Sequence, residues 1–188
     1  MNSIDNASTT LAELEQIRER ARARLRSLWY PLVLFGAAAL GAAGVAGIDS
    51  KWVTAYWVLA FAACFVAVGR YYAARGRRVG IHGDPGRRYL RFWLWFLPML
   101  FVAGTAAGTL GGTPAALAAQ AGVVGASYLA IARWERSGLM AALGLVVAAI
   151  GALLGATDPA HVVTLANLCM GAVLVVGGLY ALSREETP

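Results

Sequence analysis

The chain of 188 residues has one lysine, two cysteines, two histidines and ten carboxylates, and no charged residue falls in the middle of a long apolar run. Each shortage excludes something. Charged residues make up 14% of the sequence, against about 25% in soluble domains, so one membrane domain is the natural reading, with little chain left for a soluble one. Without Asp, Glu, Lys, Arg or His at mid-run, the groups that couple protons or sense voltage inside a bilayer are missing. Cys64 and Cys169 both lie in apolar runs, outside any thiol-pair motif or metal-ligand cluster, and read as packed free thiols. Cys64 has no base within its run, and no paired carboxylates or His-rich cluster offers hydrolytic chemistry. The chain is therefore expected to be non-enzymatic, with no cofactor and no metal site. Asp49, Asp158 and His161 are the only metal-ligating types near the turns on the side away from the arginines, and nothing in the sequence places them together.

What is present is apolar: 59% of residues are hydrophobic. Six stretches reach spanning length, at about 28–47, 52–74, 89–110, 115–134, 138–156 and 161–182, each near the ~20 residues that cross a hydrocarbon core. The first is longer than the ~7–15 residues of a signal-peptide apolar core and is read as an uncleaved span. Short turns near 48–51, 111–114 and 156–160, each with a breaker or polar group, force neighbouring spans antiparallel. The expected fold is all-α: six transmembrane helices in three antiparallel hairpins, with a membrane domain over 28–182 and a short tail over 183–188.

The segment 1–27 precedes the first span, and 10–27 reads as an amphipathic helix. Thr10-Leu-Ala-Glu13 has the capping-box form, in which hydroxyl and carboxylate each satisfy an orphan amide. Leu11, Leu14, Ile17, Ala21, Leu25 and Leu28 form one apolar stripe. Glu13 and Glu15 near its start and Arg22, Arg24 and Arg26 near its end suit the helix dipole. This helix lies either on the lipid interface or in a protein groove.

The fifteen arginines fall on one side of this arrangement. With both termini cytosolic, the inner face carries all fifteen against eight carboxylates, a net +7, and the outer turns carry Lys51 against Asp49 and Asp158, a net −1. That is the positive-inside pattern. Trp29, Tyr30, Trp93, Trp95 and Trp134 cluster near the inner boundary, and Trp52 and Tyr56 near the outer one, as aromatic belts do. Arginine in place of lysine, with abundant Ala and Gly, points to a GC-rich genome and hence to a bacterial plasma membrane.

Two sets of residues are candidate sites. The first is the inner loop and its flanks, Arg75, Arg77, Arg78, Arg87, Arg88 and Arg91. It serves orientation alone, or it also binds anionic lipid headgroups, a phosphate-bearing ligand or an acidic patch on a cytosolic protein. Gly83-Asp84-Pro85-Gly86 within it is a turn and not a phosphate loop, since no Lys-Ser/Thr follows. No nucleic-acid module accompanies the basic residues, so direct nucleic-acid binding is not expected. The second set is polar: Gln120 and Asn167 are the groups most costly to leave unpaired in lipid, and with Trp52 and Tyr56 they would line an outward pocket if they do not simply bond helix to helix.

Small residues are dense. Gly104, Gly108 and Gly112 stripe the third run, Ala118, Gly122, Ala126 and Ala130 the fourth, and Gly151 and Gly155 the fifth. Such stripes let backbones approach closely, within the chain or in a homo-oligomer. Trp29-Tyr-Pro31-Leu-Val-Leu-Phe-Gly36 and Trp95-Phe-Leu-Pro98-Met-Leu-Phe look like a weak internal repeat.

In size, span count and alanine content the chain resembles the substrate-capturing subunits of energy-coupling-factor transporters. The resemblance is one of shape, with no motif to carry residues over, and it implies a small-molecule transport component with an outward cavity near Trp52, Tyr56, Gln120 and Asn167. The residues themselves point first to a protein whose arginine-rich cytosolic face binds, and regulates or anchors, a soluble partner or anionic lipid.

Overall fold

The computed structural model describes residues 28–79 and 85–186. The amphipathic helix expected over 10–27, the loop centre with His82 and the last two residues of the tail lie outside the described residues. Among those described, the chain is all-α, with no strand. Its helices are α1 (Trp29–Ile48), a single 3-10 turn (Ser50–Trp52), α2 (Val53–Val79), α3 (Pro85–Glu135), α4 (Gly138–Thr157) and α5 (Val162–Glu186). Among the described residues, five helices are long and apolar enough to cross a membrane.

Within α3 the apolar stretch Leu94–Glu135 runs for 42 residues, about 63 Å if straight and twice a ~30 Å hydrocarbon core. It is not straight. Gly111 and Gly112 leave helical geometry, and Gly112 takes φ 72° and ψ −165°, a region open essentially to glycine alone. Pro114 follows in the first turn of the second arm, where its missing N–H is no loss. Across the break, a Cβ at Gly104 would meet the amide end of Gln120 at 2.5 Å, and one at Gly108 would meet the Ala116 Cβ at 3.3 Å. Both contacts join residues from opposite sides of the break at Gly111 and Gly112.

The turns between helices are closed by local chemistry. Asp49 accepts the Lys51 backbone N–H at 3.1 Å and pairs with its ammonium at 2.6 Å. The Ser137 hydroxyl caps α4 by accepting the Met140 N–H at 3.4 Å. Asp158 ends α4 in the left-handed conformation, which Asp tolerates better than most residues.

Glycines set which helices touch most closely. A Cβ at Gly36 would come within 2.8 Å of Val175 and 3.0 Å of the Gly171 carbonyl, and one at Gly178 would come within 3.0 Å of the Trp29 carbonyl. So α1 and α5 lie backbone to backbone, antiparallel. The second arm of α3 and α4 do the same: Gly144 faces Gly125 and Tyr128, Gly151 faces Ala121, and Gly155 faces Ala118 and Pro114. The stripe actually used on α3 is thus Ala118, Ala121, Gly125 and Tyr128, steps of three and four residues. The expected strict four-residue stripe drifts off the contact, and Gly122 has open space beside it. A buried cluster of Leu32, Ile131, Met140, Leu143 and Leu174 ties α1, α3, α4 and α5 together. By contrast α2 packs chiefly on α1, and Val58, Leu59 and Val66 on it are exposed, as lipid-facing side chains are.

Candidate functional site

One end of the helix array gathers a set of aromatic residues with the helix ends that carry arginine. Tyr30 at the start of α1 stacks on Tyr71 near the end of α2, with centroids 4.2 Å apart and planes 13° apart. Trp29 meets the same Tyr71 edge-on at 6.1 Å. Phe92, in the first arm of α3, meets Trp134 at the end of its second arm edge-on at 5.5 Å. The Trp29 carbonyl approaches Gly178, two residues before Tyr180 on α5. The helix ends that carry Arg70, Arg75 and Arg77, Arg133 and Arg184 therefore share one end, together with the Arg136 turn.

Two of these arginines use the same device. Arg75 donates to the Tyr71 hydroxyl at 2.6 Å, and Arg184 donates to the Tyr180 hydroxyl at 2.7 and 3.1 Å. Each is one helical turn beyond its tyrosine, with the guanidinium carbon 5.8 Å and 5.3 Å from the ring, inside cation–π range. Of the six loop arginines expected to bind an anionic partner, Arg75 is half-buried against Tyr71 and Arg77 is exposed. The side chains of Arg78, Arg87, Arg88 and Arg91 lie outside the described residues.

Arg70 differs. It is exposed and has no hydrogen-bond or ion-pair partner among the described residues. It stands at one end of an open groove of about 770 Å³ lined by Tyr30 from α1 and by Ala62, Ala63, Val66, Ala67, Arg70 and Tyr71 from α2. The residues of this groove were legible as an alanine-rich stripe at three- and four-residue spacing ending in Arg70-Tyr71. What concealed it was the partner wall, since only folding brings Tyr30 beside Tyr71.

The polar residues of the expected outward pocket are differently disposed. The Tyr56 hydroxyl donates to the Ala38 carbonyl at 2.9 Å, closing α2 against α1 beside Gly41. Asn167 is 7% exposed; its Oδ1 accepts the Trp57 indole N–H at 3.2 Å and its Nδ2 donates to the Val163 carbonyl at 2.8 Å. Tyr56 and Asn167 are thus joined through Trp57, whose ring meets Tyr56 edge-on at 6.1 Å. Gln120 sits apart from them, against Gly104 within α3, and Trp52 is 60% exposed. Trp57 was not singled out in the sequence; as an indole N–H in an apolar run it needs an acceptor, and that need was the signal. Among the described residues no three His, Cys, Asp or Glu side chains gather in a metal-binding group.

No family model, curated protein or solved structure matches the chain.

Proposed function

We propose that this is a non-enzymatic, six-span protein of a bacterial plasma membrane, built of three antiparallel hairpins with both termini cytosolic. Its arginine-rich cytosolic face docks an acidic surface of a soluble protein and so anchors or regulates that protein at the membrane. The six-span count is supported by the 42-residue apolar stretch of α3, by the break at Gly112 and by the Gly104–Gln120 contact across it. The docking role is supported by one observation: the arginine-bearing ends of α2, α3 and α5 lie together, while Lys51 at the opposite turns is neutralised by Asp49 at 2.6 Å. Bidentate guanidinium groups suit carboxylate clusters better than ammonium groups do. Asn167 and Tyr56 spend their polar groups on Trp57, Val163 and Ala38, two of the four residues on which the transport reading rested, and that reading is not carried further.

Two experiments test this. Single cysteines at positions 49, 111 and 158, introduced with Cys64 and Cys169 replaced by alanine, label from the outer side, and one at Ser137 labels from the inner side. A cysteine at 111 that labels from neither side refutes six spans. Crosslinking in native membranes, with the wild type beside R77S/R78S/R87S/R88S, reads the docking. A soluble partner lost on the quadruple variant, and released from the wild type by salt, is the expected result. A partner retained by the variant, or none at all, overturns the docking role.

A further inference from the structure

The groove between α1 and α2 carries at one end the Arg70 guanidinium, which has no protein partner among the described residues. We propose that it is a site for one anionic membrane phospholipid, its phosphate held by Arg70 and its acyl chain laid along Ala63, Val66 and Ala67.

Depth argues first. Arg70 is seventeen residues past Val53, the first residue of α2, which places its Cα about 26 Å along the helix. That is still inside a ~30 Å hydrocarbon core. A guanidinium there must snorkel to the boundary, and it gains most where an anion meets it. Arg75 and Arg184, further along their helices, satisfy themselves on tyrosine hydroxyls. Arg70 has no such tyrosine one turn before it: that position is Val66.

Shape argues second. The wall from Ala62 to Arg70 is about 12 Å long, most of one leaflet's hydrocarbon depth. Alanines make it a furrow, and Val66 within it is 59% exposed. The stacked Tyr30–Tyr71 pair closes its boundary end, and the Tyr30 hydroxyl has no partner among the described residues, so it is available to donate to a phosphate oxygen. An apolar furrow with a cation and a hydroxyl donor at its boundary end matches a lipid with an anionic headgroup. An acidic protein segment would leave the furrow unfilled.

The site rests on the membrane setting proposed above and not on the docking of a soluble protein. The test uses the full chain in nanodiscs containing equal phosphatidylglycerol and phosphatidylcholine, transferred to detergent and read by native mass spectrometry. The wild type is expected to retain phosphatidylglycerol preferentially. Arg70→Gln lowers that retention about five-fold, which is the ~1 kcal/mol of one juxtamembrane basic residue. Arg184→Gln, which removes the same charge from the same end, leaves it unchanged. Ala63→Phe with Ala67→Phe fills the furrow, keeps Arg70 and lowers retention as well. Equal retention of the two lipids, or an equal loss in Arg184→Gln, overturns the site. So does a photocrosslink from position 66 into residues 10–27 or into a second copy of the chain, which would assign the furrow to protein. Loss of headgroup preference with the cysteine labelling pattern intact refutes the site alone; a failed labelling pattern refutes the setting.

Discussion

Gly36 and Gly44 lie two turns apart on α1, and the same substitution at each should act with opposite sign. Alanine in a helix is favoured over glycine by about 0.5–1 kcal/mol. At Gly44 nothing stands within 4 Å of the added carbon, so Gly44→Ala keeps that gain and stabilises slightly. At Gly36 the carbon would sit 2.8 Å from the Val175 amide nitrogen and side chain and 3.0 Å from the Gly171 carbonyl. Carbon contacts are comfortable only at about 3.5–4.0 Å, so α1 and α5 must part by roughly 0.7–1 Å. The obstruction is largely backbone and cannot rotate away. A gap of that size forfeits a quarter to a half of each dispersion contact along the seam, and overpacking of this kind costs about 1–3 kcal/mol. The propensity gain is common to both variants, so their difference isolates packing: a folding equilibrium roughly 5- to 150-fold lower for Gly36→Ala than for Gly44→Ala. Steric-trap or dodecyl-sulfate unfolding in bicelles reads this directly. Equal stability of the two variants would refute the close approach of α1 and α5, and with it the arrangement of the whole array.

Three further outcomes follow from the geometry. Asn167→Leu removes the acceptor of the Trp57 indole and should cost about 0.6 kcal/mol, at most ~1.7, as interhelical hydrogen bonds in membranes do; a double-mutant cycle with Trp57→Phe should recover that coupling, and a coupling of zero would mean the bond is not formed. Gly112→Ala forces a Cβ into φ 72° and ψ −165° and should destabilise by about 1–3 kcal/mol, measured by the same unfolding assay; a neutral effect would mean the two arms of α3 do not turn there. Lys51→Ser breaks an ion pair whose side chains are 70% and 36% exposed, so stability should change by less than about 1 kcal/mol, and cysteine labelling should show the same topology.

The elements of the fold were largely legible in sequence because hydrophobic length and turn chemistry speak directly to spanning helices. The runs expected at 28–47 and 138–156 appear as Trp29–Ile48 and Gly138–Thr157, bounded by Asp49, Ser137 and Asp158. Where the bounds differ, arginine is the reason. Hydropathy ends the second run near 74, yet α2 continues to Val79, since arginine is a good helix former once the chain leaves apolar surroundings. Likewise α3 begins at Pro85, a residue pre-shaped for a first helical turn, four residues before the apolar run expected from 89. Helix partnership was not legible. Gly171 and Gly178, which seat α5 on α1, are seven residues apart, a spacing that a search for four-residue glycine pairs passes over. The pairing of the first apolar helix with the last depends on contacts more than a hundred residues apart in sequence, about which local pattern is silent.

The polar residues carry a related lesson about where recognition can occur. Gln120, Asn167 and Tyr56 attract attention because an unpaired polar group in lipid is costly. That same cost makes the chain satisfy them internally where it can, as Asn167 does with Trp57 and Val163, and Tyr56 with Ala38. A polar residue deep in an uncharged bundle is therefore weak evidence for a ligand. At the membrane boundary the cost of leaving a group open falls, because water and headgroups complete its bonding. Arg70, unpartnered among the described residues beside a furrow of alanines, stays open to a headgroup in a way that the internally bonded Asn167 and Tyr56 do not. By the same reasoning the arginines that already rest on Tyr71 and Tyr180 contribute charge to the face without themselves requiring a ligand.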